Sequence, residues 1–82
     1  MTTAQRIEHI LKTGGIAVKD VWCGSLTGII TFHSFDMALR AGRLFQAASI
    51  GVKGPIKSLD QTKASQGIKP EYVEVYRVGL TF

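Results

Sequence analysis

The stretch Gly28-Ile29-Ile30-Thr31-Phe32-His33, followed at once by Ser34-Phe35-Asp36-Met37, decides the fold class of this chain. Its first part is rich in β-branched and aromatic residues, which favours a strand. Ser34 is a residue type that commonly caps a helix, and Asp36 in the first turn suits the helix dipole. A strand that leads directly into an amphipathic helix predicts a compact α+β domain.

The predicted main helix runs from Phe35 to Ser49. Its apolar positions recur at helical spacing and form a broad stripe. They are Met37, Ala41, Leu44, Phe45 and Ala48. Gly42 disfavours a helix interior by about 1 kcal/mol relative to alanine, so we expect it to mark a close approach to a neighbouring element.

Upstream, a first helix is predicted from Thr3 to Lys12, because Thr2 and Gln5 have the spacing of a capping box. Two strand candidates follow, Ile16–Cys23 and Gly28–His33, separated by a segment of hairpin length. Their simplest pairing places Cys23 opposite Gly28. Alternation in the first strand is irregular, which predicts a bulge near Lys19-Asp20.

Downstream, Gly54-Pro55 is expected to interrupt any regular element. We therefore predict only a short strand within Val52–Leu59. The polar segment Asp60–Lys69 is read as a loop or as a short helix from Asp60 to Gln66. The last strand is predicted from Tyr72 to Leu80 or beyond.

These elements predict a single α+β domain over residues 1–82. The expected architecture is a two-layer sandwich with the order α-β-β-α-β-β. Its sheet is mainly antiparallel, and its two helices pack on one face, which is the simplest way to bury the apolar stripes.

The length and the cysteine content limit the class of protein. A core built from 82 residues is marginal by itself, and self-association is one of the usual remedies. A lone cysteine, Cys23, excludes an internal disulfide and fits a reducing compartment. With neither a signal-like segment nor an apolar run of about 20 residues, we expect a cytoplasmic protein without membrane contact.

The sequence offers no convincing catalytic constellation. Cys23 has no histidine at a spacing that predicts a Cys–His pair, and His9 and His33 lie in separate elements. One cysteine and two scattered histidines do not predict a metal site, and no phosphate-binding glycine loop is recognisable. We therefore expect a non-enzymatic protein with neither cofactor nor metal.

Charge and aromatic content permit binding of nucleic acid without requiring it. The formal net charge is +4, and the basic residues are dispersed. The sequence-based candidates for phosphate contacts are Arg40, Arg43, Lys53 and Lys57. The candidates for a partner surface are Trp22, Tyr72 and Tyr76, because exposed aromatic residues are typical of binding hot spots.

The leading interpretation is a small protein-interaction module of unknown process that forms a homo-oligomer. We expect the long apolar segment Tyr72–Phe82 to supply an edge strand to a second copy. The alternative is a small basic regulatory protein that binds nucleic acid.

Overall fold

The computed structural model describes residues 2–61 and 71–82 and confirms the α+β class. This part of the chain contains two helices and a four-stranded antiparallel sheet. The elements in chain order are α1 (Thr3–Thr13), β1 (Asp20–Cys23), β2 (Thr27–Phe32), α2 (Phe35–Ala47), β3 (Gly51–Gln61) and β4 (Tyr72–Thr81).

Helix α1 begins with the predicted capping box. The backbone N–H of Gln5 donates to Thr2 Oγ1 at 3.2 Å, and the backbone N–H of Thr2 donates to Gln5 Oε1 at 2.9 Å. Ile7 and Leu11, one helical turn apart, are the buried residues of this helix. The guanidinium of Arg6 donates to the carbonyl of Ala48 at 2.7 Å and thereby ties α1 to the end of α2.

Helix α2 begins as predicted, with Ser34 Oγ accepting from the backbone N–H of Met37 at 3.2 Å. It ends at Ala47, two residues before the predicted end, because Ser49 adopts a left-handed backbone with φ 63°. Gly42 lies where a Cβ would come 3.4 Å from Val52 Cγ1. The predicted close approach of this glycine is thus to strand β3.

The strands pair in the order β1-β2-β4-β3, and each neighbouring pair is antiparallel. Cys23 lies opposite Gly28, as predicted. Strand β1 is shorter than predicted, however, and begins at Asp20 instead of Ile16. The reason is that Ile16 is buried in the core after the turn that ends α1, so the chain joins the sheet only later.

The prediction that Gly54-Pro55 interrupts the chain and leaves only a short strand within Val52–Leu59 is wrong. Strand β3 has 11 residues and includes this pair. Its pairing with β4 shifts register between Lys53 and Ile56. The Gly54-Pro55 peptide bond is cis, and Gly54 has φ 103°, a conformation that glycine adopts readily. Asp60 and Gln61, expected in a loop or helix, belong to β3, and the rest of that prediction lies outside the described residues.

Strand β4 has the predicted extent, but it does not lie at the edge of the sheet as predicted. It pairs with β2 on one side and with β3 on the other, so its residues 76–81 are central in the sheet. The expectation that this segment offers an edge to a second copy is therefore wrong for those residues. The edges of the sheet are β1 and β3.

The core cluster contains buried residues of both helices and of the sheet. Its buried members come from α1, α2, the loops beside them and the alternate residues of β2 and β4. They are Ile7, Leu11, Ile16, Ile30, Phe32, Ala38, Ala41, Phe45, Ile50, Val78 and Leu80. Val75 is also fully buried but lies on the opposite face of β4 from Val78, so β4 contributes buried residues to both faces.

Two isoleucines test this assignment of faces. Ile30 is fully buried in β2, whereas Ile56 is 55 % exposed in β3. We expect Ile30→Val to lower the free energy of unfolding by about 0.5–1.5 kcal/mol. The same change at Ile56 should cost less than about 0.5 kcal/mol. Denaturant unfolding measures both, and equal losses would contradict the assignment.

Candidate interaction surface

The sheet has a second face, opposite to Ile30, Phe32, Val78 and Leu80, which we call the outer face. Strand pairing arranges its central side chains in rows that cross the four strands. The first row is Trp22, Ile29, Gly79 and Lys53, on β1, β2, β4 and β3 in turn. The second row is Asp20, Thr31, Arg77 and Ile56.

The first row carries a pair of large exposed apolar side chains. Trp22 is 56 % exposed and Ile29 is 44 % exposed, and they lie directly opposite each other on β1 and β2. The indole of Trp22 lies along its strand over Gly24, where a Cβ would come 2.9 Å from Trp22 Cη2. A tryptophan held in this way beside an isoleucine is typical of a contact surface.

One residue of the second row, Arg77, belongs to an ionic network. Arg77 donates to Ser58 Oγ and to Asp60 Oδ1, and Lys19 Nζ donates to Asp60 Oδ2 at 2.9 Å. Ser58 lies opposite Val75 in the ladder, so the Arg77 side chain that reaches it passes beside Val75. Val75 is completely buried, on a face that otherwise exposes its large apolar residues.

The network changes the acidity of Asp60. The hydrogen bond from Lys19 is the main cause that lowers the pKa of the Asp60 carboxyl, and Arg77 adds to it, while partial burial opposes the shift. Lys19 precedes β1 and Asp60 is near the end of β3, so the ion pair links the two edges of the sheet.

Beyond the pair Phe32↔Tyr76, strands β3 and β4 continue as a two-stranded arm from Ser58↔Val75 to Gln61↔Tyr72. At the base of the arm, Lys57 Nζ lies 2.9 Å from Glu74 Oε1. The hydrogen bond to Glu74 raises the pKa of the Lys57 ammonium. Leu59 is exposed on the arm, on the face opposite to the outer face.

The predicted aromatic residues do not share one surface. Trp22 lies on the outer face, whereas Tyr72 and Tyr76 project from the other face of β4 by strand alternation. Tyr72 is exposed on the arm. Tyr76 is half-buried against the core, and its ring makes an edge-to-face contact with Phe35 at a centroid distance of 5.8 Å.

The predicted cations are also separated. Arg40 and Arg43 are exposed on α2. Lys53 pairs with Gly79 and lies on the outer face, whereas Lys57 pairs with Tyr76 and lies on the opposite face. The extra residue between Lys53 and Ile56 causes this change of side, because a bulge shifts the alternation by one position.

Several residues of the outer face were not singled out from the sequence. Ile29 could have been, because alternation with the buried Ile30 sends its side chain outward. The link between Lys19 and Asp60 could not, because the two residues are 41 positions apart. Gly79 has no local signal either, since its position in the first row depends on the partners of β4.

Among the described residues, the remaining potentially reactive groups are not assembled into a site. Cys23 is half-buried against the core, and its thiol donates to the carbonyl of Gly24 at 3.4 Å. In residues 2–61 and 71–82, no group of three histidine, cysteine or acidic side chains is placed to hold a metal ion. Neither helix of this part of the chain is long and apolar enough to cross a membrane.

Comparison with models of known protein families, with curated proteins and with solved structures finds no match for this chain.

The ionic network predicts a pH dependence of stability. A carboxyl whose pKa is lowered on folding stabilises the native state above its ordinary pKa of 3.8, and this contribution is lost as the pH falls through the lowered value. We expect Asp60→Asn to lose less stability than the unmodified protein between about pH 5 and pH 2. Denaturant unfolding across this range measures the difference.

The matched control is Glu8→Gln, which changes an exposed acidic residue of α1. Its stability should follow the pH profile of the unmodified protein. If Asp60→Asn showed the same profile as well, the proposed contribution of the network would be refuted.

Proposed function

We propose that this chain is a small, cytoplasmic, non-enzymatic protein-interaction module that associates with a second copy of itself. In this proposal the domain is a two-layer sandwich with both helices on one face of the sheet. The outer face is then the surface that meets the second copy. The observation that carries the proposal is the exposed cross-strand pair of Trp22 and Ile29 on that face.

Apolar exposure on this face favours a protein partner. An antiparallel sheet can present one face to water, and such a face is ordinarily polar. Here Ile56 and Val73 are exposed on the same face in addition to Trp22 and Ile29. Burying these side chains against another protein would remove apolar surface from water, at about 25 cal/mol per Å².

The edges of the sheet are poor sites for association, which favours contact through the face. Strand β1 has only 4 residues. Strand β3 carries Pro55, a register shift, and lysines at positions 53 and 57. Short strands, proline, bulges and lysine are the features that discourage pairing between sheet edges.

The placement of the cysteine and of a histidine supports a role without catalysis. Cys23 pairs with Gly28 at the start of β2, whereas His33 follows the other end of that strand. Five residues of extended chain span about 17 Å, which is far beyond the reach of a Cys–His hydrogen bond.

Nucleic acid is the competing partner. Trp22 and Lys53 share the first row, and a base could stack on the indole while the lysine holds a phosphate. Against this, two further cations near the outer face, Lys19 and Arg77, are already paired with Asp60. We therefore favour association with a second copy.

Self-association is tested with Ile29→Ser and with Leu59→Ser as its control. Both residues are exposed aliphatic side chains on strands, but they lie on opposite faces of the sheet. We expect dimers that Ile29→Ser weakens at least tenfold and that Leu59→Ser leaves unchanged. Sedimentation equilibrium over roughly 1–200 µM covers the affinities expected of a weak interface.

A monomer over the whole concentration range would refute the proposal. An equal effect of the two substitutions would refute the assignment of the interface to the outer face. A mobility shift with DNA or RNA that weakens steeply with salt, together with a monomeric protein, would establish the competing partner instead.

A further inference from the structure

One ion pair of the outer face lies where it limits the surface that meets a second copy. Lys19 precedes β1 and Asp60 lies on β3, so β2 and β4 separate the two residues. We infer that this ion pair is a strap that covers Val75 and withholds it from contact with the second copy. The inhibitory role of the strap rests on the function proposed above, whereas its position on the sheet does not.

The strap crosses β4 on the outer face. Asp60 lies opposite Val73, and strand alternation places Val73 on the same face as Arg77. The carboxylate of Asp60 accepts from Arg77 through Oδ1 and from Lys19 through Oδ2. Because Lys19 comes from the β1 side of the sheet, its side chain reaches this carboxylate across the outer face of β4.

The crossing lies at the level of Val75. At one end, the backbone N–H of Lys19 donates to the carbonyl of Thr31 at 2.8 Å, and Thr31 is level with position 77 of β4. At the other end, Asp60 is level with position 73 of β4. Val75 is the residue of the outer face between these two positions. A line from Lys19 to Asp60 therefore runs over Val75.

Exposure along the outer face agrees with such a cover. Val75 is fully buried, whereas Val73 on the same strand is 38 % exposed and Ile56 on β3 is 55 % exposed. Ser58, which lies opposite Val75, accepts a hydrogen bond from Arg77 and adds a polar group beside it. Lysine stems commonly lie along apolar surface while the ammonium stays at the water boundary. The strap thus shields one valine on a face whose other large apolar residues are exposed.

The strap is placed to open. The side chains of Lys19 and Asp60 keep 30 % and 24 % of their surface exposed, so water and ions reach the pair. Ion pairs with this exposure contribute little to stability and weaken as salt rises. Rotation of the long lysine side chain is enough to release the carboxylate. Opening joins Val75 to the exposed Val73 and Ile56, which enlarges the apolar area that a second copy can bury.

The accessibility of Val75 tests the position of the strap. In Lys19→Ala we expect a neutral soluble nitroxide to relax the Val75 methyl signals about threefold more than in the unmodified protein, because the lysine stem no longer covers them. The Val73 methyl signals serve as the internal reference. Lys19→Arg should keep Val75 shielded, since arginine also bonds a carboxylate. NMR of valine-labelled protein at low concentration measures the effect, and circular dichroism confirms that each variant folds.

Association tests the inhibitory role, with Lys53→Ala as the matched control. Lys53 also lies on the outer face, and each substitution removes one positive charge. We expect Lys19→Ala to tighten the dimer about tenfold, because the newly exposed valine adds apolar surface to the contact. Lys53→Ala exposes no such valine and should change the affinity much less. Sedimentation equilibrium measures both variants beside the unmodified protein.

The outcomes separate the strap from the proposed function. A protein that stays monomeric refutes the proposed function and with it the inhibitory role, and the methyl measurement then decides the position of the strap alone. Val75 that remains shielded in Lys19→Ala refutes the strap. Val75 that becomes accessible while the dimer is no tighter than in Lys53→Ala refutes the inhibitory role and leaves self-association standing.

Discussion

The pairing of β2 with β4, in which Ile30 lies opposite Val78, is the constraint on which the rest of the structure depends. Side chains alternate along a strand, so this register decides which residues reach the core. It directs Ile30, Phe32, Val78 and Leu80 into the core, which also contains residues of α1 and α2. It also directs Ile29, Thr31, Arg77 and Gly79 to the other side. A slip of β4 by one residue would send Val78 and Leu80 outward and would turn Arg77 and Gly79 toward the core.

Features that depend on a few neighbouring residues could be predicted from the sequence. Thr2 with Gln5 and Ser34 with Met37 form their caps within three positions, so both helix starts were found. Gly54-Pro55 was misread, because its usual local effect is interruption. At the edge of this sheet the missing N–H of Pro55 is tolerated, and the surplus residue forms a bulge. The central place of β4 could not be predicted, because the order of strands depends on contacts across the whole chain.

The residues of the candidate surface also differ in whether the sequence alone could identify them. Trp22 could be named from its residue type alone, and Ile29 from alternation with a buried neighbour. The place of Gly79 in the first row could not be predicted, because it depends on the pairing of Gly79 with Ile29 and Lys53 on the flanking strands. Lys53 and Lys57 are four residues apart, a spacing that would place them on the same face of a regular strand. The bulge between them places them on opposite faces instead.

The bulge at Gly54-Pro55 has a consequence for the size of any assembly. A contact between the two different edges, β1 of one copy with β3 of the next, is head-to-tail, and each added copy presents a new edge, so such contacts propagate into fibres. A two-fold contact between identical faces occupies both of them and stops at two copies. In the proposed association, Pro55 and the bulge interrupt one edge while the outer face stays accessible, so assembly would end at two copies instead of continuing as a filament.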